Sequence, residues 1–441
     1  MKRLLPLLLC AVLALFCAPT AQAAGVSITL TASEYALHYA FDAGAQDPFV
    51  ILEYTTPAEK GWMMLYSEDG HFEGDVSLAY SGAGGKTSVA LTSARTTGSI
   101  GKASTTLPKA ADYQKPTGKS NAKVTDFMLT ETPEGFHYAF NAIGTDYMLL
   151  YWRSKEQTVT QPVYPDENGH YEGDVVSELT FARTQFTVQV KSGSGSMKKE
   201  ATVRKGYQAP EAPQRQEGRL SGVTVCIDAG HQENGRFVNE PIGPGLTGST
   251  SGKGGMAQGT KTNRRESIVC LEIGMLLRDE LLRQGANVVM TREDQTTFHT
   301  NIERCEIAEA GGAQIMLRLH CNNSSNRSKR GIQVYGPLNS DYAKAVADAD
   351  TYREMGQKLL DAMKTRVGMT LANSTGMVRL NDNYVGNNWA KMMCFLVEMG
   401  YLSNPAEEYL LVTPVYQQWL AEGMADGVYE IAVARGWVQA Q

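Results

Sequence analysis

The chain reads as a multidomain protein: two tandem all-β immunoglobulin-like sandwich modules, then an α/β domain whose mainly parallel sheet is flanked by helices. Three observations carry this reading. A block of short alternating strands recurs at a constant offset of 99 residues, with His38-Tyr39-Ala40-Phe41 returning as His137-Tyr138-Ala139-Phe140. From Leu220 onward, apolar strand-like runs alternate with segments of helical period, the pattern of an α/β domain. Three of those runs end on side chains that can do chemistry: Val225 to His231, Ile315 to His320 and Phe395 to Glu398. Strand ends of an open α/β sheet are where such folds place their sites.

The elements follow in chain order. Met1-Lys2-Arg3, the apolar run Leu4 to Phe16 and Ala21-Gln22-Ala23 form a secretory signal over residues 1–23, with cleavage before Ala24. The apolar run is too short to span a bilayer. Cys17 follows Phe16, where lipidation calls for a small residue, so cleavage rather than an anchor is expected. No later stretch looks transmembrane, and the mature protein is expected to be exported: secreted, periplasmic or held at the cell wall. The full 441 residues suffice for roughly three domains. A net charge of -6 and a pI near 5.8 leave no basic stripe for nucleic acid.

The first module is expected over residues 24–115 and the second over 121–208. A second motif pair supports the repeat, Gly70-His71-Phe72-Glu73-Gly74-Asp75-Val76 answering Gly169-His170-Tyr171-Glu172-Gly173-Asp174-Val175. Runs such as Tyr35 to Phe41 and Phe186 to Val190 alternate with period two between turn residues, and two copies are too few for a solenoid. Their histidines, His38, His71, His137 and His170, are read as structural. Pro210 and Pro213 among polar residues mark a linker over 209–220. The α/β domain occupies 221–441, with helical patterns at Glu266 to Arg283, Asn301 to Ala310, Ala343 to Thr365 and Pro414 to Ala434.

Of seven cysteines, two leave with the signal; Cys226, Cys270, Cys305, Cys321 and Cys394 remain, mostly within apolar runs. They read as buried thiols acting as small hydrophobes. No CxxC spacing supports a zinc knuckle. Gly243 to Gly248 matches GxGxxG on paper, but it neither follows a strand nor opens a helix.

The three chemical strand ends suggest a metal-dependent hydrolase. His231 leaves a strand through Asp228-Ala229-Gly230, and Asp228 can hold the turn or orient the imidazole. His320 ends a buried run, so Cys321 points to the opposite face. Glu266 has two readings. Asn263-Arg264-Arg265-Glu266 has capping-box spacing, yet a first-turn carboxylate beside two strand ends also reaches a metal. Glu398 ends the apolar Phe395-Leu396-Val397, and a carboxylate there needs a partner or a function. Two histidines and one carboxylate leave a fourth zinc position open, as in catalytic sites, and the remaining carboxylate can act as general base. HExxH spacing is absent.

Together these pieces resemble the zinc-dependent N-acetylmuramoyl-L-alanine amidases of the bacterial wall, over about 220 residues from Val223 onward. Ile227-Asp228-Ala229-Gly230-His231 resembles their first metal motif and Glu266 stands where their metal glutamate opens a helix. Leu317-Arg318-Leu319-His320-Cys321-Asn322 is similar to their second histidine motif, with Cys321 in place of a more usual Ala, and Leu396 to Pro405 to their catalytic-glutamate motif. The resemblance implies Zn²⁺ on His231, Glu266 and His320, Glu398 as the proton carrier, and the amide between the muramic lactyl group and L-alanine as the bond cut. Asp228, Asn322 and Trp389 are candidates for supporting or substrate contacts. The long Gly-rich loop from Gln232 to Asn263 departs from shorter members and is read as a groove wall facing Asn381 to Trp389. The modules are expected to bind wall glycans or a partner, or to act as spacers. A zinc carboxypeptidase acting on wall peptides and a non-catalytic wall binder remain as alternatives.

Overall fold

The computed structural model describes residues 25–440 except 46, 95–97, 112, 114–119, 133–134, 155–156, 177–184, 193–194, 205–208, 233–237, 251–254, 263 and 368–376. The signal segment therefore lies outside the described residues. The chain falls into two compact units that meet in sequence near residue 116.

In the first unit, seven strands form two sheets: β1 (Ile28–Ala32), β2 (Ala36–Asp42), β3 (Phe49–Thr55), β4 (Glu59–Tyr66), β5 (His71–Ser77), β6 (Gly85–Ser93) and β7 (Ser99–Leu107). Their orders are β1-β2-β5 and β4-β3-β6-β7. Period-two patterning decides which side chains enter the core. Along β2, Leu37, Tyr39 and Phe41 are buried, while His38, Ala40 and Asp42 face outward. Val50, Leu52, Val89 and Leu91 meet them from the other sheet. Phe41 stacks on Phe72 at 4.9 Å between ring centroids.

The second unit begins with the same arrangement: β8 (Ser120–Thr132), β9 (Gly135–Thr145), β10 (Met148–Arg153), β11 (Gln157–Val163), β12 (His170–Val176), β13 (Gln185–Lys191) and β14 (Met197–Arg204). The orders β8-β9-β12 and β11-β10-β13-β14 repeat those of the first module strand for strand. Phe140 stacks on Tyr171 at 4.5 Å, the counterpart of the Phe41–Phe72 pair. The glycine of each repeated motif has a shared cause. Tyr39 lies opposite Gly74, and a Cβ there would sit 2.8 Å from the tyrosine hydroxyl. Gly173 meets Tyr138 at the same 2.8 Å. The ring covers the backbone that glycine leaves bare, as aromatic side chains do for glycines in edge strands.

The α/β domain follows: β15 (Thr224–Ala229), α1 (Glu266–Arg283), β16 (Asn287–Met290), α2 (Asn301–Ala310), β17 (Ile315–Asn322), β18 (Gln333–Gly336), α3 (Asp341–Val346), α4 (Ala349–Val367), β19 (Met377–Leu380), α5 (Val385–Trp389), β20 (Met393–Tyr401), α6 (Glu407–Leu410) and α7 (Pro414–Ala434). The sheet order is β16-β15-β17-β20-β18-β19. Pairings are parallel except between β18 and β20. Residues Ile315 to Leu319 are all buried, because both faces of this sheet are covered. The parallel pairs β15–β17 and β17–β20 deliver the β15 turn, His320 and Glu398 to one edge, with His320 directly beside Glu398 in register.

One sequence expectation changes here. The helical pattern from Ala343 to Thr365 is two helices, because Ala347 is extended and Asp348 accepts a hydrogen bond from the Thr351 N–H, opening α4 afresh. In the segment expected as a linker, the Pro210 carbonyl accepts from Arg278 of α1 at 2.9 Å and Arg215 donates to the Gly285 carbonyl just after α1 at 2.9 Å. The five cysteines are buried free thiols, as expected. No helix among the described residues is long and apolar enough to cross a membrane.

Candidate metal centre

The turn after β15 brings His231 to the sheet edge at a positive φ of 59°, a conformation non-glycine residues seldom adopt. Gly230 before it is required by close packing. Its N–H donates to the Leu319 carbonyl at 2.9 Å, and a Cβ would lie 2.4 Å from that oxygen and 2.6 Å from the His320 ring. Arg292 holds the turn from beneath, donating to the Ala229, Gly230 and Ser267 carbonyls.

Glu266 is the first residue of α1, with Arg265 at the N-cap position making no side-chain cap. Asn263, the expected cap, lies outside the described residues. Among the described residues, the Glu266 carboxylate is engaged by two backbone N–H groups and two imidazoles. Its Oε2 accepts the Ala257 N–H at 2.7 Å and its Oε1 the Cys321 N–H at 3.0 Å. That same Oε1 lies 3.1 Å from His231 Nε2 and 3.0 Å from His320 Nδ1. The three ligand atoms fall within 4.8 Å of one another. The Cys321 side chain is buried beside Cys270.

The electrostatics fit a cation. Glu266 is 3% exposed, and its ion-pair partners are imidazoles. Burial opposes its ionisation, but the hydrogen bonds with His231 and His320 outweigh burial and hold the carboxyl well below its ordinary range. Burial pushes the His320 imidazole down, against the pull of Glu266, which favours the neutral ring that ligates metals. A buried carboxylate facing a neutral imidazole is short of positive charge. Beside them, Glu398 Oε2 is buried with no hydrogen-bond partner among the described residues. Burial, and then the Glu266 charge, raise the Glu398 carboxyl to about 8. A cation in the cluster would draw it back down.

Of the two parts open to Asp228, holding the turn or orienting an imidazole, its described contacts serve the turn. Wholly buried, it accepts hydrogen bonds from Arg304, from Arg318 at 2.9 Å and from Thr291 at 2.8 Å. Arg304 reaches on to the carbonyls of Ala229 and His231. Asp228 therefore positions the turn through a guanidinium. Burial opposes its charge, but the two arginines outweigh burial and hold the carboxyl far below its usual range. Arg318 was legible as a charge inside an apolar run; Arg304 carried no such signal. Asn322 donates to Gln333 at 3.0 Å. Trp389 donates to the Pro241 carbonyl at 2.8 Å and packs beside the Cys226–Cys305–Cys394 cluster, so it braces the Gly-rich loop. Asn388 donates to the Ile242 carbonyl, which sets Asn381 to Trp389 against the loop as read from sequence. Glu240 ties the loop to the α2 N-terminus through the Asn301 and Ile302 N–H groups, an anchor the sequence did not reveal.

Residues 225–430 match the N-acetylmuramoyl-L-alanine amidase family. The C-terminal half of the chain thus carries an amidase domain of the kind found in the bacterial cell wall. It is 26% identical over 231 residues to the germination-specific N-acetylmuramoyl-L-alanine amidase of Bacillus subtilis, covering 49% of this chain and 83% of that one. It is 27% identical over 218 residues to the probable cell wall amidase LytH of Staphylococcus aureus, covering 48% of this chain and 60% of that protein. Among solved structures, an N-acetylmuramoyl-L-alanine amidase from Clostridium difficile 630 aligns with a TM-score of 0.38 at 23% identity, over 48% of this chain and 96% of that chain. The family match begins at residue 225, after both β modules.

Proposed function

We propose that the protein is an exported, zinc-dependent peptidoglycan hydrolase. In this reading it cuts the amide between the lactyl group of N-acetylmuramic acid and the L-alanine of the stem peptide. The convergence of His231 and His320 on one Glu266 oxygen, beside a Glu398 Oε2 that has no hydrogen-bond partner among the described residues, carries this reading. His231 Nε2, Glu266 Oε1 and His320 Nδ1 would hold the ion. When bound, Zn²⁺ supplies Lewis acidity, which acidifies water and polarises a carbonyl oxygen.

The chain's own residues do the rest. Glu398 takes the proton of the attacking water and delivers it to the leaving amine. Arg292 and Arg304 fix the His231 turn, so the first ligand is held before substrate arrives. The braced loop from Glu240 to Thr262 and the Asn381–Trp389 segment form the groove wall. The β modules, whose strand orders fit an immunoglobulin-like sandwich, bind the wall or a partner, or space the domain from it. The N-terminal segment directs export.

Mass spectrometry of purified peptidoglycan digested by the full chain, with and without a chelator, tests the reading. Stem peptides bearing a new L-alanine amine, lost on chelation and restored by Zn²⁺, are expected. Release of terminal amino acids in their place would reassign the enzyme to carboxypeptidase chemistry.

A further inference from the structure

One more polar side chain stands in line with the metal centre. Parallel pairing sets His320 of β17 beside Glu398 of β20, and antiparallel pairing sets Glu398 beside Gln333 of β18. Residues in direct register on neighbouring strands project from the same face, and each step across the sheet is about 4.8 Å. His320, Glu398 and Gln333 therefore form one row on one face. Each is partly open to solvent, although both of its chain neighbours are buried. The row is where this face of the sheet opens.

The partners of Gln333 dictate which way its carboxamide points. The Asn323 N–H donates to Asn322 Oδ1 at 2.8 Å, which turns the Asn322 amide nitrogen toward Gln333. That nitrogen donates to Gln333 Oε1 at 3.0 Å, and the Tyr335 hydroxyl donates to the same oxygen at 2.7 Å. Tyr335 is itself fixed: it is 8% exposed, and its ring packs 5.1 Å from that of Tyr384. An amide oxygen has two lone pairs, and here both are taken. The two N–H bonds of Gln333 Nε2 have no acceptor among the described residues. A preset, unused donor thus stands on the far side of Glu398 from the ligand cluster.

We propose that Gln333 is a substrate-binding residue whose Nε2 donates to a backbone carbonyl oxygen of the leaving stem peptide. This rests on the amidase reading above. Order within the row gives the side. His231, Glu266 and His320 cluster on one side of Glu398, and Gln333 lies on the other. The leaving amine takes its proton from Glu398, so the peptide that departs with it extends away from the cluster, toward Gln333. A neutral donor suits a peptide carbonyl, which is a neutral acceptor. Asn322 and Tyr335 are positioning residues, because they keep the nitrogen of Gln333 outward and its oxygen inward.

Gln333→Met keeps the length of the side chain and removes the donor. The zinc-loaded full chain and this variant are compared in two assays: cleavage of N-acetylmuramoyl-tetrapeptide, and calorimetric binding of the free tetrapeptide. The variant is expected to keep its zinc and its circular dichroism. It should lose about tenfold in kcat/KM and bind the tetrapeptide about tenfold more weakly, the scale of a carbonyl left without its donor. Gln333→Ser, polar but too short to reach, decides the matter if the methionine variant misfolds. If the unaltered chain releases no stem peptide, the amidase reading falls, and the binding assay still tests Gln333. No tetrapeptide binding by the unaltered chain, or equal binding by the folded variants, would overturn the proposal. A loss of activity that merely follows a loss of zinc would overturn it too, by making Gln333 a support of the metal centre.

Discussion

Two kinds of His–Glu–His group occur in this chain, and they differ chiefly in their access to water. Glu266 is 3% exposed and reaches backbone N–H groups of both a loop and a strand. Glu73, between His38 and His71, and Glu172, between His137 and His170, lie in the open, flanked by further carboxylate or amide oxygens. Water can solvate the module glutamates, whereas the buried carboxylate draws its compensation from fixed groups. Burial thus makes the charge balance of the Glu266 group a matter of its fixed neighbours, and that of the module groups a matter of solvent.

The sharpest break in that comparison comes from the buried centre. Glu398→Gln is expected to retain zinc and lose about 10²- to 10⁴-fold in turnover, the contribution of a positioned proton carrier. His320→Ala should lose metal and activity together. Turnover of Glu398→Gln at the unaltered rate would remove Glu398 from the mechanism. Full zinc occupancy in His320→Ala would remove that ligand.

Asp228 comes next. Asp228→Asn leaves two buried guanidinium groups without their shared countercharge, a loss of about 3 to 5 kcal/mol by the usual cost of breaking a buried pair. The pH dependence follows from the depressed carboxyl. Asp228 contributes stability above its ordinary pKa of 3.8, and that contribution fades as pH falls toward its much lower folded value. The variant should therefore melt earlier at neutral pH and show a flatter acid limb in urea titrations. An unchanged limb would mean another carboxylate governs acid unfolding.

The contrast also explains what the sequence made legible. Helices α1, α2 and α7 were bounded residue for residue, because their ends are chemical. Thr300 and Glu303 form a capping box, and Pro414 stands in the first turn of α7. The three reactive strand ends were readable because a charged or polar group closing an apolar run demands a purpose. The partner of Asp228 was not readable. Strand periodicity shows which way a side chain points, not which helix will present a guanidinium there, and Arg304 looks like any surface arginine. The break at Asp348 was hidden because apolar periodicity continues across it. In the modules the repeat exposed the shared fold, but only coordinates show that both rings of each pair aim at one glutamate.

The modules offer a finer test. Gly74→Ala and Gly173→Ala each press a methyl group to 2.8 Å from a tyrosine hydroxyl, at equivalent places. Each should cost about 1 to 3 kcal/mol, as overpacking does. Equal losses in denaturant unfolding would establish that the two copies share one packing solution. A large difference would show that Tyr39 and Tyr138 yield unequally.

The smallest effect separates the two kinds of group most directly. With metal stripped, Glu73→Gln and Glu172→Gln should leave the melting temperature where it was, since exposed ion pairs contribute little and water replaces the lost carboxylate. If the stripped variants melt several degrees lower instead, the exposed carboxylates hold the sheet together by themselves, and the distinction between the buried and the open group loses its physical basis.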